Sequence, residues 1–191
     1  MLTTHHNIAS IFFLIPSGDL YMGEPYEQQE QLPKLNYVDR DWYKGVVSTY
    51  DPYVSSVFMS AAIHEPAVAI AVPSYAPYDA QIQASNISGY WVAIVSLTKL
   101  QDSLVKLDQG SGQMIIFVDH NGTGIAITAS PGKGSGLQGF SNLGSVKAAL
   151  AGKTGSQVEV VNGTRMNIYY APASIHPHTW AVLLMEPAFI N

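Results

Sequence analysis

The chain contains no cysteine in its 191 residues. Disulfides, thiolate nucleophiles and zinc–thiolate centres are therefore excluded. Charge is scarce as well. Only 12% of the residues are Asp, Glu, Lys or Arg, and the net charge is −5. The few cations are scattered, which excludes a surface that tracks nucleic-acid phosphates. Long apolar runs are also missing. No stretch reaches the roughly 18 apolar residues that a membrane-spanning helix needs. The nearest is IASIFFLI at 8–15, which follows His5-His6 and precedes no small-x-small cleavage site. It reads as a buried strand rather than as the core of a secretory leader.

What is present is a globular composition, 47% hydrophobic, enough for one or two domains with a real core. Strand signals dominate. The apolar run 8–15 is followed by the turn PSG (16–18) and by DLYMG (19–23). The pattern returns as QMIIFVD (113–119), HNG (120–122) and TGIAITA (123–129), and a second Asn-Gly at 162–163 joins SQVEVV to TRMNIYYAPA. Asn-Gly between apolar runs marks a hairpin whose two turn residues take positive φ.

The two halves share this grammar. IFFLIPSGDLY parallels IIFVDHNGTGI, PAVAIAVPSY (66–75) parallels RMNIYYAPAS (165–174), and GYWVAIVSL (89–97) parallels HTWAVLLME (178–186). Each half reads as hairpin, helix and then three antiparallel strands, so the expected fold class is α+β, built from two similar modules in tandem. Short helices are expected at 39–47, capped by Asp39, and at 142–152, stopped by Gly152. A connector helix is expected at 97–109, with Leu97, Leu100, Leu104 and Leu107 at helical spacing. The stretch 76–88 reads as a loop longer than a hairpin needs, the usual place for a lid or binding loop.

One stretch breaks the scarcity of charge. NYVDRDWYKG (36–45) holds Asp39, Arg40, Asp41 and Lys44 together with Tyr37, Trp42 and Tyr43. Arg40 offers a planar fork suited to a carboxylate. Trp42 offers an indole N–H and a flat apolar wall, and Tyr37 and Tyr43 offer hydroxyls. One Arg among aromatics suits a small organic acid or amino acid. The alternative is that Arg40 pairs with Asp39 or Asp41 while Trp42 packs in the core.

These segments, DRDWYKG, YVSSVFMS, PAVAIAVPSY and GYWVAIVSL, resemble the membrane-distal module of a double Cache domain. IIFVDHNGTGIAI, SVKAALAGKTGS and MNIYYAPA with TWAVLLMEP resemble its membrane-proximal module. Such domains are extracytoplasmic sensors of histidine kinases and chemoreceptors. The resemblance implies a PAS-like fold in each module, a mainly antiparallel sheet flanked by short helices, with modules at 1–103 and 104–191. It implies a small-molecule pocket in the distal one. It also implies a long helix ahead of the first strand, which here is either absent or trimmed away, so the homodimer usual for the family is left open.

In the amino-acid-sensing subclass the helix Arg and Trp hold the ligand carboxylate, which carries over to Arg40 and Trp42. The positions that hold the ligand ammonium read Phe58, Ser60 and about Ser96 here. With that half missing, a small carboxylate is favoured over a zwitterion, because a buried ammonium without a carboxylate is costly. Asp79 is a candidate replacement anion, Tyr75 and Tyr78 are candidate closing residues, and Tyr53, Ser55 and Ser60 are candidates for the pocket floor.

Other motifs point elsewhere less well. AGKT (151–154) has Lys147 where a phosphate-binding loop needs Gly, and lies between a helix and a strand in the wrong order. GKGSG (132–136) lacks dinucleotide spacing, and HPH (176–178) reads as a solvated turn. Asn86-Ile-Ser is the one plausible glycosylation acceptor. The expectation is thus a sensor domain without catalytic activity, cofactor or metal. Its partner would be a small carboxylate, amino acid or amine, and it would lie outside the cytoplasm on a membrane receptor. The alternatives are an interaction module with a self-filled pocket and a hydrolase whose groups converge only in three dimensions.

Overall fold

The computed structural model describes residues 8–30, 32, 34–76, 86–98, 113–127 and 137–188. In chain order the elements are β1 (Ile8–Leu14), β2 (Leu20–Glu24), α1 (Tyr26–Glu30), α2 (Asp41–Thr49), β3 (Tyr53–Val54), β4 (Phe58–Met59), β5 (Pro66–Tyr75) and β6 (Ile87–Ser96). Then follow β7 (Met114–Val118), β8 (Thr123–Ile127), β9 (Gln138–Gly139), α3 (Gly144–Leu150), β10 (Gly155–Val161), β11 (Thr164–Ile175) and β12 (His178–Pro187). Contacts divide the chain into two units. Unit 1 is Met1–Ser55 with Ser60–Ser96, and unit 2 is Leu97–Asn191 with the short segment Ser56–Met59. Most of the expected connector helix, and with it the expected boundary at 103/104, lies outside the described residues.

The sheet path in unit 1 is β2-β1-β6-β5-β3, and unit 2 repeats it as β8-β7-β12-β11-β10, with β9 added beyond β8. Every pairing with a recorded register is antiparallel. The duplication expected from sequence is thus a duplication of topology. The proline match is also in register, since Pro73 faces Tyr90 and Pro172 faces Ala181. The tryptophan match is not. Phe13 pairs with Trp91, whereas the corresponding Phe117 pairs with Val182. Trp91 therefore corresponds to Val182, two residues past Trp180. An even slip keeps side chains on the same face, so alternation alone could not reveal it.

Each hairpin closes through the same turn. Ile15 N–H donates to Asp19 O (3.0 Å) and Gly18 N–H to Ile15 O (2.9 Å). Asp119 N–H donates to Thr123 O (2.9 Å) and Gly122 N–H to Asp119 O (3.0 Å). Gly18 and Gly122 both sit at φ +83°, the left-handed region open to glycine. At Asn121-Gly122 only the glycine has positive φ, while at Asn162-Gly163 both residues do, at 49° and 81°. Only the second is therefore the two-residue turn expected from the sequence.

The glycine carbonyls then seat the helices. Gly18 O accepts from Tyr37 N–H (2.9 Å) and Gly122 O from Phe140 N–H (2.7 Å). Arg40 N–H donates to Tyr37 O and Leu143 N–H to Phe140 O, both at 3.0 Å. Helix α2 opens at Arg40 with φ −71° and ψ 142°, and α3 at Leu143 with φ −69° and ψ 135°. The expected cap at Asp39 is displaced by one residue: the helix opens at Arg40, and the exposed Asp39 carboxylate accepts from Lys34 Nζ at 2.9 Å instead of capping. Helix α2 ends at Tyr50 in the left-handed conformation, and the chain after α3 turns through Gly152 at φ +80°, as expected for Gly152.

Helix α2 packs on β5 and β3, and α3 on β10, β11 and β12. Gly45 makes the first contact possible, since a Cβ there would run into the ring of Tyr53. In unit 2, Glu159 takes the place of a capping side chain for α3. Its carboxylate accepts from Gly144 N–H and Ser145 N–H, both at 2.8 Å, and from Gln157 Nε2 at 2.7 Å. Burial pushes this carboxyl up, but its hydrogen bonds from Ser145, Gln157 and Gly144 outweigh burial and hold it below the usual carboxylate range.

Two outcomes follow. Gly45→Ala is expected to cost unit 1 about 1–3 kcal/mol in urea unfolding through overpacking, and Tyr53→Ser in the same chain should remove that penalty. Because the folded pKa of Glu159 is depressed, its stabilisation is present above the unfolded carboxylate value of about 4.3 and is lost as pH falls through the folded value. Glu159→Gln should therefore cost about 0.5–2 kcal/mol at pH 7. It should also flatten the acid limb of unit 2 stability, measured by urea titration at stepped pH.

Candidate functional site

The charge-dense stretch is fixed from both ends. Upstream, Asn36 Nδ2 donates to Asp19 Oδ1 (2.7 Å) and to Ser17 O (3.2 Å). Downstream, Asp41 Oδ1 accepts from Trp42 N–H at 2.7 Å. Arg40 is exposed at the start of α2, close enough for its charge to act on the Tyr37 hydroxyl. Burial raises the Tyr37 pKa and the Arg40 guanidinium offsets part of that rise.

Trp42 is 2% exposed. Its ring lies 5.7 Å from Tyr37 and 6.0 Å from Phe12, and Tyr37 stacks on Phe12 at 5.5 Å. Tyr43 is buried, donates its hydroxyl to Pro16 O at 2.7 Å, and meets Tyr90 edge-on at 5.6 Å. Burial pushes up the pKa of Tyr43, Tyr53 and Tyr90. A nearby Asp41 charge adds to the rise at Tyr53, and the hydroxyls of Tyr43, Tyr50 and Tyr75 add to it at Tyr90.

The remaining candidates divide. Tyr53 is half-buried against Gly45. Tyr75 is exposed and donates its hydroxyl to Tyr50 O at 3.0 Å. Ser55 is fully buried and brackets β5, with its N–H donating to Ala69 O and its Oγ accepting from Ala69 N–H, both at 2.9 Å. Ser60 is buried at the 60–65 turn, where its N–H donates to Glu65 O and its carbonyl accepts from His64 N–H. Phe58 is half-buried on β4, which pairs with β5 of the first sheet. Ser96 donates its hydroxyl to Glu65 Oε2 at 2.6 Å. Tyr78 and Asp79 lie outside the described residues, as do 77–85 of the expected lid.

The duplication supplies an internal control. The shared hydrogen bonds align Tyr37 with Phe140, Arg40 with Leu143 and Lys44 with Lys147, so Trp42 aligns with Ser145 and Tyr43 with Val146. Register aligns Tyr90 with Ala181. It also aligns Ala67, Ala69 and Ala71 of β5 with Met166, Ile168 and Tyr170 of β11. In unit 2 the strand carries the bulk, and Leu143, Val146, Met166 and Ile168 belong to one hydrophobic core. In unit 1 the strand is stripped to alanines, and the helix carries aromatic residues with polar atoms and a guanidinium at its opening. The Ala-x-Ala-x-Ala alternation was visible in the sequence, and Tyr90, beside the more conspicuous Trp91, was the residue to notice. Tyr50 carried no comparable signal.

In unit 2 the rings of His120 and His178 stack at 3.6 Å with planes 13° apart. The expected solvated turn at 176–178 therefore holds for exposed His176 but not for half-buried His178. Among the described residues no group of three or more His, Asp or Glu is placed to hold a metal ion, and no helix is long and apolar enough to cross a membrane.

No protein-family model matches the sequence, and no curated protein matches it. Solved structures do. The extracellular domain of the putative histidine kinase rpHK1S-Z16 superposes with a TM-score of 0.72 at 15% identity, over 96% of this chain and 72% of that one. The ligand-binding domain of the Pseudomonas aeruginosa amino-acid chemoreceptor PctC, in complex with GABA, gives a TM-score of 0.66 at 20% identity, over 94% and 74%. An extracellular ligand-binding receptor from Desulfohalobium retbaense gives 0.68 at 8% identity, over 95% of this chain, which spans only 30% of that receptor. The chain therefore has the double Cache fold, two tandem PAS-like modules as found in the extracellular domains of chemoreceptors and histidine kinases.

Proposed function

We propose that the chain is the extracytoplasmic sensor domain of a membrane signalling receptor and that unit 1 binds a small carboxylate beside Arg40. The observation that carries this reading is the placement of Arg40 in the main-chain frame that holds Leu143 in unit 2. Leu143 is buried and completes a core. An arginine in the same frame adds nothing to a core, and it brings a fixed positive charge beside Tyr37. A guanidinium accepts a carboxylate bidentately, and Tyr37, Tyr43 and Tyr90 give the wall polar tips. The kinship in fold with a chemoreceptor domain solved with GABA supports a ligand of this size. The distal module carried by 1–103 would receive the ligand, and the proximal one, 104–191, would pass on the change as a population shift. The domain itself binds and does no chemistry. Any kinase activity would belong to a transmitter region beyond this chain.

One observation favours a second reading. Trp42 is as buried as any core residue and is engaged by Tyr37 and Phe12, as in a module that fills its own pocket. Thermal-shift measurements with acetate, propionate, succinate, GABA, glutamine and putrescine separate the two. A carboxylate ligand raises the melting temperature by linkage, whereas no shift from any of the six supports the self-filled module. Arg40→Leu, which installs the unit 2 residue, should leave unliganded stability within about 0.5 kcal/mol, as for a surface site. It should cost a carboxylate ligand about 2–5 kcal/mol of binding, measured by calorimetry.

A further inference from the structure

Four tyrosines of unit 1 gather around Tyr90. Tyr43 lies on α2, Tyr50 closes that helix, Tyr75 ends β5, and Tyr90 itself lies on β6. Tyr75 donates its hydroxyl to Tyr50 O at 3.0 Å, which ties the strand end to the helix end. Tyr43 meets the Tyr90 ring edge-on at 5.6 Å. The hydroxyls of Tyr43, Tyr50 and Tyr75 are all near enough for charge on them to act on that of Tyr90. Tyr50 and Tyr75 are exposed, whereas Tyr43 and Tyr90 are buried.

Unit 2 has none of these rings. The matching positions are Val146 for Tyr43 and Ala181 for Tyr90. For Tyr75 the match is Ser174, two residues past the paired proline. The left-handed residue after α3 is Gly152 at φ +80°, where unit 1 has Tyr50 at φ 58°. A bulky residue is uncommon in that region, and glycine takes it freely. The frame therefore closes without phenols, and Tyr50 holds a backbone conformation that glycine would adopt at lower cost. The charges differ as well. Helix α3 carries Lys147 in its last turn, but α2 has no basic residue in its last turn, and the exposed Asp51 follows Tyr50. A helix C-terminus holds roughly half a negative charge, and no side chain in the last turn of α2 balances it.

We propose that Tyr50, Tyr75 and Tyr90 form a site for a small organic cation, a methylated ammonium of the choline type. Aromatic rings attract such a cation through their quadrupole, and the helix end and Asp51 add negative potential. A methylated ammonium has no N–H to donate, so it suits rings better than carbonyls. The nearest carbonyl, Tyr50 O, already accepts from the Tyr75 hydroxyl. Arg40 opens the same helix ten residues earlier, roughly 15 Å away at about 1.5 Å of rise per residue. The cation site is thus separate from the proposed carboxylate site and does not depend on it.

The test is calorimetry on the whole chain with choline, tetramethylammonium and neohexyl alcohol, in which carbon replaces the choline nitrogen and the charge is gone. Both cations should bind, and choline should bind at least about tenfold more tightly than the alcohol. Tyr50→Gly and Tyr75→Ser install the unit 2 residues, and each should weaken choline binding by about fivefold or more. Failure of the cations to bind overturns the site. So does a smaller margin over the alcohol, which would mean that the rings read shape and not charge, and so does a smaller loss in either variant. The comparison of choline with the alcohol uses the unaltered chain, so it decides the matter even if a variant fails to fold. None of the three ligands carries a carboxylate, which keeps this outcome distinct from the reading at Arg40.

Discussion

Two hydrogen bonds per unit carry this architecture. A glycine carbonyl at the mouth of a hairpin, Gly18 or Gly122, accepts the N–H of an aromatic residue, Tyr37 or Phe140. That aromatic residue's own carbonyl then takes the N–H of the residue opening the helix. The glycine's left-handed backbone aims the carbonyl, and a side chain there would strike Val38 in unit 1 or Ser141 in unit 2 at 2.6 Å. Hairpin, helix start and sheet are thereby held in one geometry before any side chain is considered, since peptide groups in a packed interior must find partners.

Given that frame, the units differ in where they put their volume. Interiors are close-packed, so a strand stripped to Ala67, Ala69 and Ala71 has to be covered by something larger. In unit 1 the cover comes from Trp42 and Tyr43 on α2 and from Tyr90 on β6. In unit 2 the strand supplies Met166 and Ile168 instead. Transferring bulk from strand to helix exchanges aliphatic surface for aromatic surface with indole and phenol tips. Such groups can pack as core and still present a polar edge, which is why Trp42 can be nearly inaccessible on a helix that opens with an exposed arginine.

Much of the fold was legible in the sequence because strand alternation and turn glycines are local signals. The duplicated hairpins, the proline-marked strands and the stop at Gly152 all follow from them. The tryptophan register was not legible, because a two-residue slip preserves every inward and outward position. Nor was the identity of the α2 cap, since Asp39 and Arg40 both precede the helix and the turn that seats it is closed by Arg40 N–H on Tyr37 O. At the candidate site, the sequence brought out Arg40, Trp42, Tyr37 and Tyr43 as a group. It could not show that Ser55 and Ser60 are occupied in anchoring backbone, because that rests on partners away from them along the chain, such as Ala69.

The shared frame has a consequence for how such a domain diversifies. Its bonds run between peptide groups, so selection can rewrite the residues projecting from α2 and β5 without renegotiating the scaffold beneath them. One unit lines its interior with Met166 and Ile168, while the other projects aromatic and charged groups from the same frame. Substitutions at those projecting positions can accumulate in one unit while the main-chain frame of both stays as it is.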